Sequence, residues 1–595
     1  MQKLSLAKKI ALISFLLLFL ATSACALPGM RHYRQGDIYR NMKQWNNALD
    51  EYNKSIELDP SYAPAYYKRG LVYIHYMDYE KGITNFTKAI DLDKFKSEFY
   101  SSRGQAYLNT GKYSSSISDY SRAIELNPRD ASFYYGRGKA YNANQEYLLA
   151  VYDFSKALEL DEKYFNAYYE RGIAYSNRGD YELAAADFRK VVTLYPNDPK
   201  GYYKLGWIYQ LRDEYDLAIL NYTKAIELDP YAPEMYKSRG QSYMSLRDFD
   251  KAIMDFSKAI ELDPNYFIAY VWRGKAYRAK AISTDSSLPI VPLYSGGDIH
   301  FSRGAYELAI ADFTKAIELA PNYAAAYRLR GYAYADRGAY TQSIADFSKA
   351  IQLEPTNDFA YFSRAKSYLS KGDTETALIE LNKTIELDPT NAFAFHLRGK
   401  IYHARGEYQL AINDFSRAIE IDPEFVDAYL DRGNSYKQLG ETNKAIADYS
   451  KVISLKPNEP DYYGKRGYWY VINHQYNEAI EDYSRNMELV PPNSLSYYSR
   501  ARAYYGRLEW EKAIADLDEA IRLNPKYAEA YHLRGQSYYK LFRYDLAIND
   551  YTKAINLGYN SYYARSQAFR RLRQFDKWLF DLFKSYELRA ISPPV

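Results

Sequence analysis

Residues 97–128 read SEFYSSRGQAYLNTGKYSSSISDYSRAIELNP, and the pattern in this stretch decides the fold. In its second half, apolar side chains recur at Ile117, Tyr120 and Ile124, which is the i, i+3, i+7 spacing of an amphipathic helix. Pro128 closes the stretch, because proline lacks the N–H that a continuing helix needs and disfavours helical geometry in the preceding residue. The stretch therefore predicts a pair of helices that ends before Pro128.

The same motif recurs along the chain with a period of 34 residues. Its closing prolines are spaced by multiples of 34, except for a spacing of 57 between Pro264 and Pro321. A small residue such as Gly104 follows at the eighth position of each repeat and lets two helices approach closely, and Tyr lies three residues beyond it in every repeat but the last. Sixteen repeats stand in one register from about residue 29 to residue 588. This period predicts one continuous array rather than the four or so domains that a length of 595 residues suggests.

This pattern resembles the tetratricopeptide repeat family, and the resemblance covers almost the whole chain after the N-terminus. It implies an all-α fold, an α-solenoid in which about 16 helix–turn–helix units stack as a right-handed superhelix. The last repeat is degenerate, because Trp578, Leu579 and Phe580 enlarge its second helix. An atypical terminal repeat is expected, since one of its faces has no neighbour to cover it.

The 57-residue spacing places 23 extra residues inside the eighth repeat, at about 281–303. Ser, Pro and Gly residues predict a loop there, and its centre at 288–294 is apolar. Two interpretations stay open: an excursion that the array tolerates, or a contact point for a partner or a lid over a groove. The expected organisation is a continuous array over 26–588 with this loop inserted, followed by a C-terminal tail at 589–595.

The first 25 residues have the layout of a secretory signal peptide. Three lysines precede an apolar run at 10–20, and small residues follow the run. Residues 22–25, TSAC, resemble the lipobox of bacterial lipoproteins, which would make Cys25 the lipid-attachment residue. The alternative is ordinary cleavage after Ala26. We expect an exported protein of the bacterial cell envelope, held to a membrane only through the lipid on Cys25, or a soluble periplasmic or secreted protein if that lipid is absent.

Composition removes several functional classes. One Cys among 595 residues rules out a disulfide framework and Cys-rich metal sites. The net charge of +4 falls to +1 without residues 1–26, which argues against a nucleic-acid partner. No phosphate-binding loop, zinc-protease motif, CxxC or nucleophile elbow occurs in the sequence. We therefore expect a protein that is not an enzyme and that uses no cofactor or metal.

Arginine precedes the small residue in fourteen of the sixteen repeats, and thirteen of these repeats also have an acid sixteen positions later in the motif. Where Arg is absent in the sixth repeat, Leu205 stands opposite Asn221, so both charges disappear together. We predict ion pairs between the two helices of a repeat or across neighbouring repeats. The alternative is a row of ligand-binding arginines. The predicted pairs include Arg103/Asp119, Arg137/Asp153, Arg239/Asp255 and Arg534/Asp550.

The family resemblance also implies a groove lined by positions two, five, nine, twelve and thirteen of each repeat, where Ser97 is position one of the third repeat. These positions hold fourteen basic and seven acidic residues in this sequence, together with many aromatic residues. The candidate groove residues are Tyr67, Tyr135, Lys139, Tyr169, Tyr203, Trp207, Lys237, Lys275, Arg278, Arg328, Lys366, Lys400, Lys437, Tyr498 and Arg502. Aromatic contact area beside cations favours extended acidic ligands.

These expectations define a non-catalytic scaffold or adaptor for other proteins in the bacterial cell envelope. It would bind extended or helical partner segments in a basic, Tyr-rich groove, with acidic peptide segments or acidic polysaccharide as the ligands and no nucleic acid. Two alternatives stay open. One is a glycan-binding or polysaccharide-export protein that stacks sugars on Tyr and Trp, and the other is a regulatory subunit of an envelope enzyme.

Overall fold

The computed structural model describes residues 28–283 and 303–591, and every regular element within them is an α-helix. The 32 helices of these residues are α1 (Pro28–Asn41), α2 (Trp45–Leu58), α3 (Ala63–His75), α4 (Tyr79–Leu92), α5 (Ser97–Asn109), α6 (Tyr113–Leu126), α7 (Ala131–Ala143), α8 (Tyr147–Leu160), α9 (Phe165–Arg178), α10 (Tyr181–Leu194), α11 (Pro199–Leu211), α12 (Tyr215–Leu228), α13 (Pro233–Ser245), α14 (Phe249–Leu262), α15 (Phe267–Ser283), α16 (Arg303–Leu319), α17 (Ala324–Asp336), α18 (Tyr340–Leu353), α19 (Asp358–Lys371), α20 (Thr374–Leu387), α21 (Ala392–Ala404), α22 (Tyr408–Ile421), α23 (Val426–Gln438), α24 (Thr442–Leu455), α25 (Pro460–Ile472), α26 (Tyr476–Leu489), α27 (Ser494–Gly506), α28 (Trp510–Leu523), α29 (Ala528–Lys540), α30 (Tyr544–Asn556), α31 (Tyr562–Arg571) and α32 (Phe575–Ile591). The predicted all-α repeat fold is confirmed, with an odd-numbered first helix and an even-numbered second helix in each of sixteen repeats.

The helices form two compact blocks of eight repeats each. The N-terminal block reaches Pro321 and contains α1 to α16. Its first helices pack against their own second helices and against the second helix of the preceding repeat. The C-terminal block begins at Asn322 and contains α17 to α32, which pack in the same order.

Local sequence explains where the helices stop and turn. Helix α6 ends at Leu126, and Asn127 before Pro128 is extended with φ −144° and ψ 88°, as the residue before a proline prefers. The turn from α5 to α6 needs a left-handed residue, which is Gly111 at φ +73°. The same turn is made by other residue types in nine repeats, for example by Phe542 at φ +62°.

A small residue on the first helix allows close packing inside each repeat. A Cβ atom built on Gly138 of α7 would lie 2.8 Å from Cε1 of Phe154 on α8, so a larger residue cannot fit without movement. Phe154 and Ala157 of α8 are both fully buried. The aromatic ring of the second helix therefore lies directly on the backbone of the first, and this contact forms the core of the repeat.

Two predicted boundaries differ from the structure. Helix α15 continues through Ser283 and α16 begins at Arg303, so the two ends of the predicted insertion at 281–303 are helical. Ala281 is buried, which stabilises the extra turn of α15. Helix α32 continues to Ile591, so the predicted tail at 589–595 begins later than expected. Residues 1–27, 284–302 and 592–595 lie outside the described residues, and with them lie the predicted signal peptide and most of the insertion.

Within the two described ranges, none of the helices combines the length and the apolar character that a bilayer-crossing helix requires.

Candidate functional site

One arginine in each motif-bearing repeat joins three helices. The guanidinium of Arg103 on α5 donates two hydrogen bonds of 2.8 Å, from Nε and Nη2, to the two carboxylate oxygens of Asp119 on α6. Its Nη1 donates at 3.0 Å to Oγ1 of Thr87 on α4, in the preceding repeat. Tyr100 and Tyr107 flank the guanidinium, with ring centroids 5.9 and 5.8 Å from Cζ. The ion pair therefore lies within a repeat, and the third hydrogen bond joins neighbouring repeats.

The other arginine–aspartate pairs named from the sequence are brought together in the same way. In each, a residue of the preceding repeat accepts the third hydrogen bond of the arginine. They are Arg137/Asp153 with Ser121, Arg239/Asp255 with Thr223, and Arg534/Asp550 with Asp518. The described residues contain thirteen such ion pairs, twelve with aspartate and one, Arg364/Glu380, with glutamate.

The carboxylates of these pairs are buried, which indicates that the arginines stabilise the packing of the helices. Asp153 is 1% exposed, and burial raises its pKa while the hydrogen bonds from Arg137 partly offset that rise. A ligand cannot approach a guanidinium whose donors already point at a buried carboxylate and at the preceding repeat. The alternative of a ligand-binding arginine row therefore has no support in this geometry.

A set of half-buried lysines beside aromatic rings lies on the first helices of the N-terminal block. Three of its lysines lie over aromatic rings on the same helix: Lys139 is 5.7 Å from the centroid of Tyr135 on α7, Lys204 is 4.9 Å from that of Trp207 on α11, and Lys275 is 4.2 Å from that of Trp272 on α15. We call this surface the lysine–aromatic face and define it by Tyr135, Lys139, Tyr169, Lys204, Trp207, Lys237, Trp272 and Lys275. Cations held over aromatic faces are favourably placed to pair with anionic groups.

A half-buried acid lies between two of these lysines. Burial raises the pKa of Glu170 on α9, and the charges of Lys139 on α7 and Lys204 on α11 partly offset the rise. Burial lowers the pKa of Lys204, and Glu170 partly offsets that change. The three side chains therefore couple three successive first helices electrostatically, in surroundings that have already lost part of their water.

Lys237 on α13 is in a similar position. Burial lowers its pKa, and the nearby carboxylate of Glu234 partly offsets the change. An anionic ligand beside Lys204 and Lys237 would favour the charged form of both lysines. The face is therefore built to gain from a negatively charged partner.

The groove tyrosines are more enclosed than the sequence suggested. The hydroxyl of Tyr67 is hydrogen-bonded to Ser102 of the next repeat at 3.2 Å, and that of Tyr203 to Ser238 at 3.2 Å. Burial raises the pKa of Tyr169 to about 12. Each ring packs beside an aromatic residue, as the Tyr135 ring does at 5.0 Å from Tyr164. The fifth position lies between neighbouring first helices, so these rings are half-buried rather than open stacking surfaces.

Predicted groove residues of the C-terminal block have varied surroundings. Nη1 of Arg328 donates to Asn357 at 3.4 Å, and its Nε is buried without a hydrogen-bond partner among the described residues. Burial lowers the pKa of Lys366, an effect that Asp336 partly offsets. Lys400 is exposed.

Lys437, Tyr498 and Arg502 are three further groove residues with aromatic neighbours. Exposed Lys437 lies 5.6 Å from the ring centroid of Trp469. Burial raises the pKa of Tyr498, and the charge of half-buried Arg502 partly offsets the rise. The ring of Tyr498 lies 4.9 Å from that of Tyr527. Arg278, in the N-terminal block, is half-buried on α15. Lys437 thus lies about as close to a ring as Lys139 does, but its ring belongs to the next first helix, α25.

Sequence reasoning missed Glu170, Lys204 and Trp272. All three stand at the sixth position of their repeats, which the family resemblance did not place in the groove. The available signal was the variety at this position, where Glu, Lys and Trp replace one another in nearby repeats whose packing positions hardly vary. Cys25 lies outside the described residues. Within those residues, no group of three or more His, Cys, Asp or Glu side chains could hold a metal ion.

Models of the tetratricopeptide repeat match more than half of the chain. Those described as TPR repeat match residues 36–74, 104–145, 297–338, 331–372, 399–440 and 509–541. Those described as Tetratricopeptide repeat match residues 63–95, 165–198, 199–231, 233–266, 360–391, 380–413, 426–459 and 528–561. The chain belongs to the tetratricopeptide repeat family. Tetratricopeptide repeat proteins generally mediate protein–protein interactions, which supports this general role here.

Several solved tetratricopeptide repeat structures are similar to parts of the chain. A crystal structure of MamA is 30% identical and covers 27% of this chain and 93% of its own, with a TM-score of 0.26. YrrB, described as a TPR protein with an unusual peptide-binding site, is 25% identical and covers 31% of this chain and 95% of its own, with a TM-score of 0.28. Yeast Tom70 is 17% identical and covers 84% and 98%, with a TM-score of 0.32. Comparison with curated proteins finds no match.

Proposed function

We propose that this tetratricopeptide repeat protein is a non-catalytic scaffold that binds an extended acidic segment of a partner protein on its lysine–aromatic face. The observation that carries the proposal is the row of half-buried lysines on four of the five first helices from α7 to α15, three of them held over aromatic rings. The rings supply contact area and hold the lysine stems, and the ammonium groups pair with carboxylates of the partner.

The half-buried tyrosines favour a peptide over a glycan. Sugar stacking needs open aromatic faces, whereas Tyr67 and Tyr203 contact the next repeat through their hydroxyls. A peptide needs only the exposed edges of these rings and the lysine charges. Binding of an acidic polysaccharide in place of an acidic peptide would therefore contradict the proposal.

The direct test is the affinity for a fluorescein-labelled peptide of alternating Glu and Gly. In the variant Lys139→Gln/Lys204→Gln/Lys237→Gln, we expect at least about tenfold weaker binding by fluorescence anisotropy. The loss of three partly desolvated charge pairs, each of about 0.5 kcal/mol, amounts to about that factor. Added salt should weaken wild-type binding as well.

The matched control removes three lysines from the second helices of the same block. Lys156, Lys224 and Lys258 each pair with a glutamate three residues later on an exposed face. The variant Lys156→Gln/Lys224→Gln/Lys258→Gln has the same net charge as the first triple variant and should bind the peptide as the wild type does. Equal weakening in the two variants would contradict the proposal, and so would retention on alginate that the acidic peptide cannot displace.

We further propose that the protein is exported to the bacterial cell envelope and anchored by lipid on Cys25. The support is the order of basic, apolar and small residues in 1–25, with the only Cys at its end. Several acyl chains together anchor a protein stably, whereas one chain binds reversibly. In the native host, Cys25→Ala should move the protein from the membrane fraction to the soluble fraction. A variant that stays in the membrane fraction would overturn the lipid anchor and leave the peptide-binding proposal intact.

A further inference from the structure

The last helix carries an exposed aromatic stripe. Phe575, Leu579, Phe583 and Tyr586 of α32 follow the i, i+4, i+8, i+11 spacing of one helix face. They are 58%, 45%, 65% and 58% exposed. Phe580 lies at the edge of this stripe and is also exposed. We call Phe575, Leu579, Phe583 and Tyr586 the terminal stripe. Contiguous exposed apolar surface of this kind marks an interaction site more often than scattered residues do.

Counted within the repeat, the terminal stripe occupies positions 17, 21, 25 and 28. At position 17 of the first repeat, Trp45 stacks on His75 of the next first helix, α3, with ring centroids 3.9 Å apart. At position 21 of the second repeat, Ile83 shares a buried cluster with Ala106 of α5. Both internal positions therefore contact the first helix that follows.

The other two positions face the following first helix as well. Thr87, at position 25 of the second repeat, accepts the hydrogen bond from Arg103 of α5. Ile90, at position 28, shares a buried cluster with Phe99 and Tyr100 of α5. Ile90 is only 6% exposed, whereas Tyr586 at the same position of the last repeat is 58% exposed. The terminal stripe is thus the surface on which the fold elsewhere docks a helix.

We propose that the terminal stripe docks an acidic amphipathic helix of a partner protein, in the place that a further first helix would take. Among the described residues, no helix follows α32 to cover the stripe, and its four side chains stay 45–65% exposed. This site lies in the C-terminal block and does not rest on the lysine–aromatic face.

Position 25 specifies which helix fits. In fourteen of the fifteen earlier repeats this position holds Asn, Thr, Ser or Asp, whose oxygen can accept from the arginine at position seven of the next helix. The exception is Arg189, and the following helix then carries Leu205 at position seven, 4% exposed. Phe583 likewise offers no acceptor. The docking helix must therefore present an apolar residue, not arginine, at its seventh position.

The charges around the stripe favour an acidic partner. The last repeat carries Arg570, Arg571, Arg573, Lys577 and Lys584 against Asp576 and Glu587, so it stays net basic although Lys584 pairs with Glu587 at 2.8 Å. The third acid of α32, Asp581, is buried, and its carboxylate pairs with the guanidinium of Arg565 at 2.7 Å. Two copies of this net-basic repeat would repel each other if the stripes of two chains met. A helix with acids flanking its apolar face meets complementary charge.

The probe for the test comes from the chain itself. Helix α11 is the internal first helix with leucine at position seven, so we take a labelled, hydrocarbon-stapled peptide of residues 199–211 with Lys200→Glu and Lys204→Glu. Its partner peptide differs only by Leu205→Arg. The full chain should bind the leucine peptide at least about tenfold more tightly than the arginine peptide, because Phe583 leaves a buried guanidinium without an acceptor.

The variant Phe583→Ser restores the residue type of the internal repeats and should remove or reverse this preference. Phe542→Ser is the matched control, because Phe542 is 78% exposed in the turn before α30 and lies off the stripe. The control should keep the wild-type preference. The triple lysine variant of the lysine–aromatic face should also keep it, which separates this proposal from the proposed function.

Three outcomes would overturn the proposal. The first is equal binding of both peptides, or binding that Phe583→Ser does not change. The second is a concentration-dependent dimer of the chain that Phe583→Ser abolishes, which would make a second copy the occupant. The third is flotation with phosphatidylglycerol vesicles that Phe583→Ser abolishes, which would make the stripe a membrane contact.

Discussion

The guanidinium of Arg103 contacts three helices at once. It pairs with both oxygens of Asp119 in its own repeat and donates to Thr87 in the repeat before. Because planar guanidinium groups match carboxylates with two parallel hydrogen bonds, this contact sets the register of the helices as well as their attraction. The sixth repeat shows the neutral alternative, with Leu205 and Asn221 in the equivalent positions.

Removing the arginine alone should destabilise the array strongly. Arg103→Leu leaves the carboxylate of Asp119, 5% exposed, without its partner, and the loss of one member of a buried pair costs about 3–5 kcal/mol. We expect a clearly lower thermal midpoint by circular dichroism. Arg122→Leu removes the same charge from the exposed face of α6, where Arg122 pairs with Glu125, and should change the midpoint little.

The double variant Arg103→Leu/Asp119→Asn copies the sixth repeat and should recover much of the lost stability, because no unpaired buried charge remains. Equal midpoints for Arg103→Leu and Arg122→Leu would show that the buried pair does not hold the repeats in register.

At the scale of helices, the sequence predicts those contacts in which both packing partners belong to the same 34-residue repeat. The aromatic residue of the second helix and the small residue opposite it, as in Phe154 and Gly138, follow from the 34-residue period alone. The end of α15 could not be predicted, because composition alone does not show that Ala281 is buried. The same limit explains why positive φ values at non-glycine turn residues such as Phe542 were not foreseen.

The candidate site was predictable only in part. Lys139, Trp207 and Lys237 lie at positions that the family resemblance placed in the groove. Lys204 and Glu170 lie at position six, and only the structure shows that neighbouring helices bring these two side chains together. Burial of the groove tyrosines was likewise beyond the sequence, because it depends on contacts between repeats rather than within one.

At the scale of the whole molecule, each block carries its own interaction chemistry. The N-terminal block presents half-buried lysines over aromatic rings, and the C-terminal block ends in a net-basic repeat with an exposed, mainly aromatic stripe. An array of repeats suits such a division, since each repeat contacts only its neighbours and can vary its outward residues without disturbing the core. Both surfaces favour acidic protein segments, one extended and one helical.

Site-specific photocrosslinking in the native host tests the central claim most directly. The photoreactive amino acid p-benzoylphenylalanine replaces Trp207 on the lysine–aromatic face in one strain, and Tyr152, 57% exposed on a second helix of the same block, in another. The account predicts that Trp207 crosslinks to defined partner proteins at acidic segments, and that Tyr152 does not. Crosslinking of the same proteins from both positions, or of none from Trp207, would contradict it.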